Sequence, residues 1–303
     1  MKYALSINGG GIRGIIPCTV LASLEQQTGK LSRDIFSYVA GTSTGALLAA
    51  GVAAGIPASE MLKVYTEKSK DIFKPSGILS TAKQIAKGYK YEPVNLHRVL
   101  FEVFDKAATW SMNDSPIGIC LSATAANGHN WFFVKDTRQN AKTTGNVKLI
   151  DAATASAAAP TFFDHWDIDI PRPWTPSKVS FFDGGTGGLA NPAYECCVEM
   201  FEFDDFTPQD TRLICLGTGY YPNADNPPSG LIPTIEWATD TLVDSSMDWV
   251  DKAVQRQWPG VAKKYDWLLA SPVSMDDLSG IPALILAGQL AAKQFNWTQA
   301  LGS

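Results

Sequence analysis

The sequence predicts an α/β fold, three layers thick, in which helices cover both faces of a mostly parallel central sheet. Two observations support this prediction. Short apolar runs of strand length alternate with longer runs whose apolar residues recur at helical spacing. Glycine-containing turns join the first two strands to the helices that follow them. Since parallel strands need a crossover between them, this alternation implies a sheet with helices on both sides.

The N-terminal part of the chain contains the clearest elements. In chain order, its apolar periodicity predicts a strand at 3–7, a helix at 12–27, a strand at 34–40, a helix at 46–54 and a helix at 57–73. The order strand, turn, helix occurs twice in succession. That order is typical of parallel crossover connections.

The rest of the chain continues the alternation less regularly. Strands are predicted at 117–123, 131–135, 179–182 and 212–216, and long helices at 231–255 and 274–295. Proline and glycine interrupt the segment 74–91. We find no internal repeat and no linker long enough to separate domains. We therefore predict a single domain over 1–303, with its motifs within 3–220 and a C-terminal helical region, about 231–303, packed on it.

Composition argues against several functional classes. Of the 303 residues, 45% are hydrophobic, enough for one large core, and 18% are charged. The formal net charge of −5 argues against broad binding of nucleic acid. The N-terminus lacks the features of a signal peptide, and the longest apolar run, 46–56, is too short to cross a bilayer. We expect a cytoplasmic protein whose five cysteines are buried and reduced.

A cluster of glycines, GGGIRG at 9–14, follows the first predicted strand and opens the first helix. It satisfies the dinucleotide-binding pattern G-x-G-x-x-G, and Asp34 lies 20 residues beyond Gly14. In dinucleotide sites, however, the acidic residue follows the second strand, whereas Asp34 precedes it. Backbone N–H groups at a helix N-terminus also stabilise a negative oxygen, so the alternative is an oxyanion hole. Arg13 would add positive charge nearby or brace the loop.

The second turn, GTSTG at 41–45, matches the nucleophile elbow G-x-S-x-G. It has the required context, with an apolar strand before it and a helix of small residues after it. In such a turn the serine hydroxyl lies at the carboxyl edge of the sheet, where the helix dipole favours a developing alkoxide. We therefore predict that Ser43 is a nucleophile.

Ser43 needs a general base, and histidine does not supply an obvious one. An α/β-hydrolase triad ends with a histidine late in the chain, but the last of the three histidines here is His165. Asp183 ends an apolar strand and precedes two glycines, which places it at the carboxyl edge of the sheet. It is either the general base of a Ser–Asp dyad or an ordinary residue of an Asp-Gly turn.

His165 also raises the question of a metal site. Strand geometry would place His165, Asp167 and Asp169 on one face. No further histidines complete such a site, so we predict a solvated loop and no metal. The other two histidines, His97 and His129, are expected on a helix surface and in a turn.

Taken together, GGGIRG at 9–14, GTSTG at 41–45 and DGG at 183–185 resemble the motifs of patatin-like lipid acyl hydrolases, a family related to cytosolic phospholipase A2. Three further segments are similar to the family, namely ASAAAPTFF at 155–163, Asn-Pro at 191–192 and LGTG at 216–219. The resemblance covers roughly residues 3–220 and leaves the C-terminal part without a counterpart.

The resemblance implies a patatin-like fold and a dyad in which Ser43 is the nucleophile and Asp183 the base. It implies no cofactor and no metal. The expected activity is hydrolysis of carboxylic esters of phospholipids or other acyl lipids through an acyl-enzyme. The residues assigned to the oxyanion hole, as backbone donors or as their support, are Gly9, Gly10, Gly11, Arg13 and Gly14.

Three alternative functions stay open at this point. Some bacterial relatives in the family are phospholipases switched on by a cyclic nucleotide. The chain also fits a general short-chain carboxylesterase, and its glycine cluster alone fits a dinucleotide-binding protein.

The expected partner, besides an ester substrate, is a transient membrane or micelle surface, contacted through 74–91. This expectation rests on charge, because 63–98 carries eight Lys and Arg residues against three acids. An ordinary solvated helix explains the same pattern. The sequence predicts neither the lipid head group and acyl length nor the oligomeric state.

Overall fold

The computed structural model describes residues 1–75, 88–140, 144–170, 177–221 and 229–301. Its strands, in chain order, are β1 (Lys2–Ile7), β2 (Tyr38–Thr42), β3 (Tyr89–Tyr91), β4 (Gly118–Ala125), β5 (Asn130–Val134), β6 (Thr161–Phe163), β7 (Trp166–Ile170), β8 (Ser177–Asp183), β9 (Thr211–Leu216) and β10 (Ala262–Tyr265). Within these residues, β3 and β6 pair with each other, and the other eight strands form the central sheet. The sheet order is β10-β9-β1-β2-β4-β8-β7, with β5 also paired to β4.

The direction of the strands changes at β4. The neighbouring strands β10, β9, β1, β2 and β4 run parallel, whereas β5 and β8 run antiparallel to β4. β5 occupies one side of β4. On the other side, β2 pairs up to Thr42–Ser122, and β8 pairs from Asp183–Ala123 onward. The carboxyl ends of β2 and β8 therefore meet head to head beside adjacent residues of β4.

Helices cover both faces of the sheet. In chain order they are α1 (Ile15–Thr28), α2 (Ser32–Ile35), α3 (Thr44–Ala54), α4 (Ala58–Thr66), α5 (Ser69–Ile72), α6 (Pro93–Phe104), α7 (Leu149–Ser156), α8 (Ala193–Glu202), α9 (Leu231–Gln257), α10 (Ile281–Gln294) and α11 (Trp297–Leu301). β1 directs Leu5 and Ile7 into a core shared with α1, α3 and α10, and Ala4 into a second core shared with α8 and α9. The predicted fold, a mostly parallel sheet between two helical layers, is confirmed.

The second predicted strand is shorter than expected. It begins at Tyr38 rather than at residue 34, because Ser32–Ile35 form the helical turn α2. The Glu25 carboxylate stabilises this turn, accepting hydrogen bonds from the Ser32 N–H and hydroxyl at 2.9 and 2.7 Å. Asp34 therefore lies in a helical turn that precedes the strand.

Two predicted helices also differ in extent. The helix predicted at 57–73 is divided at Glu67 and Lys68 into α4 and α5. The helix predicted at 274–295 starts at Ile281, because the Asp277 carboxylate accepts the Ser279 N–H at 2.9 Å and holds a separate 3₁₀ turn before it. The helices α6, α7 and α8 and the strands β3, β6, β7 and β10 have no predicted counterpart, and β7 replaces the solvated loop expected around His165.

None of the helices in the described ranges combines the length and hydropathy needed to span a bilayer. The segment 74–91, expected to meet a membrane surface, lies mostly outside the described residues, because 76–87 are not among them.

Candidate active site

Ser43 lies in the turn between β2 and α3, in a conformation that residues other than glycine rarely adopt. Its φ is 57° and its ψ is −126°. Both backbone groups of Ser43 are hydrogen-bonded, since its N–H donates to Ser156 Oγ at 2.9 Å and its carbonyl accepts the N–H of Ala46 at 2.9 Å. Strain of this kind, held by surrounding contacts, is typical of a nucleophile elbow.

The glycines of the elbow are required by close packing. A Cβ on Gly45 would lie 2.1 Å from the carbonyl oxygen of Ile7, and a Cβ on Gly41 would lie 2.2 Å from the carbonyl oxygen of Gly45. The absence of side chains lets the first turn of α3 sit directly on the end of β1. This packing presents Ser43 beside the loop that follows β1.

Asp183 is the last residue of β8, and its side chain lies near that of Ser43, whose hydroxyl lowers its pKa. Its Oδ1 also accepts the N–H of Gly185 at 2.7 Å, and its own N–H donates to the Ala158 carbonyl at 2.9 Å. Both side chains are buried, with 8% of Ser43 and 6% of Asp183 exposed. Burial raises the pKa of Asp183 to about 6, although the hydrogen bonds from Ser43 and Gly185 lower it.

The structure thus brings Ser43 and Asp183 together, but the strand direction that does so differs from the prediction. The sequence predicts Asp183 at the carboxyl edge of a mostly parallel sheet, whereas β8 is antiparallel to β4. The two residues meet because β2 and β8 approach each other along the same side of β4. Thr42, next to Ser43, pairs with Ser122, and Asp183 pairs with Ala123.

The glycine loop, residues 9–14, approaches Ser43 most closely at Gly9. A Cβ on Gly9 would lie 3.2 Å from the Cβ of Ser43. The N–H of Gly9 already donates to the Ala190 carbonyl at 2.9 Å. The N–H groups of Gly10 and Gly11, by contrast, find no acceptor in the described part of the chain. The loop can therefore offer two donors to a negative oxygen, and Gly9 is not one of them.

Arg13 and Gly14 stabilise the conformation of this loop. The Arg13 Nε donates to the Gly10 carbonyl at 3.3 Å, and its Nη1 donates to the Gly219 carbonyl at 3.4 Å. Gly14 packs against Thr44, where a Cβ would lie 2.1 Å from the threonine Oγ1. Both residues therefore shape the loop through packing and backbone contacts.

Several residues that complete this geometry were not singled out by the sequence argument. The Ser156 hydroxyl accepts the Ser43 N–H, and the Ala158 carbonyl accepts the Asp183 N–H. The Thr218 hydroxyl donates to the Gly9 carbonyl at 2.8 Å. All three lie in segments whose sequences resemble the family, at 155–163 and 216–219, but the resemblance gave these residues no role. Met275, whose carbonyl accepts the Ile12 N–H at 2.9 Å, lies in a region with no such signal.

The three histidines lie elsewhere, and none hydrogen-bonds to Ser43 or Asp183 in the residues described. His97 pairs with Asp151 at 2.9 Å, and His129 is exposed in a turn. His165 lies beside Asp164, with 2.7 Å between its Nδ1 and the carboxylate. No group of three or more metal-binding side chains occurs among the described residues. All five cysteines are buried and free.

A cavity of about 540 Å³ lies at the opposite end of the sheet, lined by Tyr38 and Gly118 at the amino ends of β2 and β4. It contains both basic and acidic side chains, including Arg33 and Glu199. The cavity is separated from Ser43 by the length of β2.

Comparison with curated proteins finds relatives in bacteria and plants. The chain is 32% identical over 231 residues to a cGAMP-activated phospholipase of Escherichia coli strain TW11681, covering 71% of this chain and 61% of the relative. A cGAMP-activated phospholipase of Vibrio cholerae is 27% identical over 234 residues, covering 71% and 63%. Patatin-17 of Solanum cardiophyllum is 31% identical over 209 residues, covering 64% and 51%. The chain thus spans about three fifths of the length of the two bacterial relatives.

Among solved structures, VipD from Legionella pneumophila superposes with a TM-score of 0.51 at 11% sequence identity, covering 97% of this chain and 67% of VipD. This similarity concerns the fold alone. The sequence model of the patatin-like phospholipases matches residues 5–196, which include Ser43, Asp183 and the glycine loop. The chain therefore belongs to the patatin-like phospholipase family.

Proposed function

We propose that this protein hydrolyses carboxylic esters of acyl lipids with Ser43 as nucleophile and Asp183 as general base. The observation that carries the proposal is the proximity of the Ser43 hydroxyl to a buried carboxylate, next to a glycine loop in which the N–H groups of Gly10 and Gly11 have no acceptor among the described residues. These are the three parts that acyl transfer needs: a nucleophile, its base and an oxyanion hole.

In the first half of the reaction, Asp183 accepts the Ser43 proton as Oγ attacks the ester carbonyl carbon. The resulting oxyanion accepts hydrogen bonds from the N–H groups of Gly10 and Gly11, while Arg13 holds the Gly10 carbonyl. Collapse of the intermediate breaks the ester C–O bond, and the leaving alkoxide takes the proton from Asp183. In the second half, Asp183 accepts a proton from water, which attacks the acyl-enzyme. The acid leaves, and the proton returns to Ser43.

Substitution of the nucleophile tests this proposal. We expect Ser43→Ala to lower turnover of a p-nitrophenyl ester by about 10³-fold or more, because the acyl-enzyme can no longer form. Circular dichroism and a thermal melt check that the variant stays folded. His165→Ala is the control, since His165 does not contact the dyad, and it should keep near-normal turnover. If folded Ser43→Ala kept its activity, the assignment of Ser43 as the nucleophile would be refuted.

The substrate class follows from the family, and its details are part of the proposal. The patatin-like family is one of phospholipases, so we propose a phospholipid or related acyl lipid as substrate and transient contact with its surface. A general short-chain esterase is the competing possibility. Mass spectrometry of a lipid and ester panel, comparing wild type with Ser43→Ala, distinguishes them by which products depend on Ser43.

The names of the two bacterial relatives favour a second proposal, that activity here is switched on by a cyclic nucleotide. Both are called cGAMP-activated phospholipases. If this chain is regulated in the same way, phospholipid hydrolysis should be low alone and should rise on addition of cGAMP, with cyclic AMP as the control nucleotide. The assay is release of free fatty acid. Equal rates with and without cGAMP would indicate constitutive activity.

A further inference from the structure

The C-terminal segment 274–276 packs against the outer side of the glycine loop through Met275. Its Met275 carbonyl accepts the Ile12 N–H at 2.9 Å. Gly11, with a φ of +58°, lies so close to Met275 that a Cβ on Gly11 would be 2.6 Å from the Met275 carbonyl oxygen. The segment lies outside residues 5–196, the range that matches the family. The loop therefore depends on a part of the chain for which the family gives no role.

Asp276 attaches this segment to the body of the protein. Its Oδ2 accepts hydrogen bonds from Lys90 Nζ and from the Tyr91 hydroxyl, both at 3.0 Å. Tyr91 is itself fixed, with ring centroids 5.2 Å from Phe73 and 5.8 Å from Phe163. The Asp276 side chain is 14% exposed, so its contacts are partly protected from solvent. These contacts therefore also fix the position of Met275, the residue before Asp276.

The charges at this contact are well defined near neutral pH. Burial acts to raise the pKa of Asp276, but the hydrogen bonds from Lys90 and Tyr91 outweigh it and lower the pKa below its usual range. Burial, together with the hydrogen bond to Asp276, raises the pKa of Tyr91 to about 12. Asp276 is therefore ionised and Tyr91 protonated, which is the arrangement that keeps both hydrogen bonds.

The other contacts of the glycine loop fix its first half. Thr218 binds the Gly9 carbonyl, Ala190 accepts the Gly9 N–H, and Arg13 binds the Gly10 carbonyl. After Gly11, the hydrogen bond from the Ile12 N–H to the Met275 carbonyl fixes the direction of the backbone. Oxyanion donors lower a barrier only when they are aimed before the charge develops. The orientation of the Gly11 N–H therefore requires that Met275 stays in place.

We propose that Asp276 is a positioning residue for ester hydrolysis, which holds Met275 against the glycine loop and so aims the oxyanion donors. This inference rests on the proposed function and adds a C-terminal contribution to its site. Asp276 acts through Met275 and the loop backbone, so its effect falls on the transition state more than on substrate binding.

The test compares two adjacent aspartates. Asp276→Asn weakens the contact with Lys90 and Tyr91, whereas Asp277→Asn makes the same change of charge at a carboxylate that binds Ser279 instead. Both are assayed with a p-nitrophenyl ester, and rates are divided by the concentration of active sites titrated with a fluorophosphonate. We expect Asp276→Asn to lower kcat by about tenfold or more, with KM changed by less than about twofold. Asp277→Asn should keep kcat within about twofold of wild type.

A second readout separates positioning from a loss of stability. Phosphonylation of Ser43 also develops charge on oxygen, so its rate constant should fall in Asp276→Asn in the same proportion as kcat. If Asp276→Asn does not fold, Tyr91→Phe combined with Lys90→Gln removes the same contact from the other side and should give the same fall in kcat.

Equal kcat for the Asp276→Asn and Asp277→Asn variants would overturn the inference, as would an increase in KM with kcat unchanged. If instead wild type itself shows no Ser43-dependent turnover, the proposed function fails and the inference fails with it. The two failures are distinguished by the wild-type and Ser43→Ala rates measured in the same assay.

Discussion

The carboxyl group of Asp183 is almost fully enclosed, and its burial sets the pH range in which it could serve as the proposed base. Its pKa of about 6 lies well above the usual 3.8, because a buried carboxylate loses its hydration. At pH 7 to 8 the group is still mostly ionised and can accept the Ser43 proton. Its pKa is also near enough to neutrality for the proton to be returned to a leaving alcohol. The same burial means that ionisation of Asp183 lowers the free energy of unfolding.

This burial predicts that Asp183→Asn stabilises the protein while abolishing its activity. Because the pKa is raised in the folded state, stability falls as pH increases from about 4 to about 6 and stays lower above that range. Asparagine cannot ionise but keeps an oxygen for the Gly185 N–H. We expect its free energy of unfolding at pH 8 to exceed that of wild type by up to about 3 kcal/mol. The difference should vanish near pH 4.

Thermal melts across pH 4 to 8 measure this effect. Asp169→Asn, which changes the same charge at an exposed position of β7, is the matched control and should shift the melting temperature little at any pH. A lower melting temperature for Asp183→Asn at pH 8 would contradict a raised pKa.

At the scale of single elements, local sequence was sufficient for the strand, elbow and helix around Ser43. The apolar run before the turn, the two glycines and the alanine-rich run after it all lie within a few residues of each other. The turn at Ser32–Ile35 was missed because Glu25, which holds it, is seven residues earlier in the chain. The direction of β8 was missed for a related reason, since it depends on pairing with β4, which no local pattern encodes.

The same distinction applies to the parts of the candidate site. Ser43, Asp183 and the glycine loop carry short motifs, so the sequence alone suffices to propose them as parts of the site. The assignment of Gly9 as a donor needed correction, because its N–H is used by Ala190, a distant residue. Met275 was not foreseen, since a backbone carbonyl has no residue-type signature and its role depends only on where tertiary packing places it.

At the scale of the whole molecule, the C-terminal residues are part of the same architecture as the motifs. β9 pairs with β1 on one side and with β10 on the other. α10 packs closely on α1, where a Cβ on Gly288 would lie 2.8 Å from Thr19 Oγ1. We propose that residues 1–303 fold as one domain, because removal of the last part would expose both a sheet edge and the buried face of α1.

A truncated chain tests this proposal. A chain ending at residue 220 retains every family motif but loses β10, α9 and α10. We expect it to lack a cooperative thermal transition and to give a poorly dispersed proton NMR spectrum, because β9 and α1 lose their neighbours. A cooperative melt at the wild-type temperature would show instead that the C-terminal part is a separate unit.

The head-to-head meeting of β2 and β8 on β4 also affects which sequence changes the site can survive. The spacing between Ser43 and Asp183, the proposed nucleophile and base, is set by two adjacent residues of one strand, Ser122 and Ala123, and not by the length of any surface loop. Relatives can therefore lengthen or shorten their outer loops without disturbing the dyad. A one-residue insertion or deletion inside β4, however, would turn each following side chain to the opposite face of the sheet. It would also separate Ser43 from Asp183. The permitted variation in this fold thus lies around β4 and not within it.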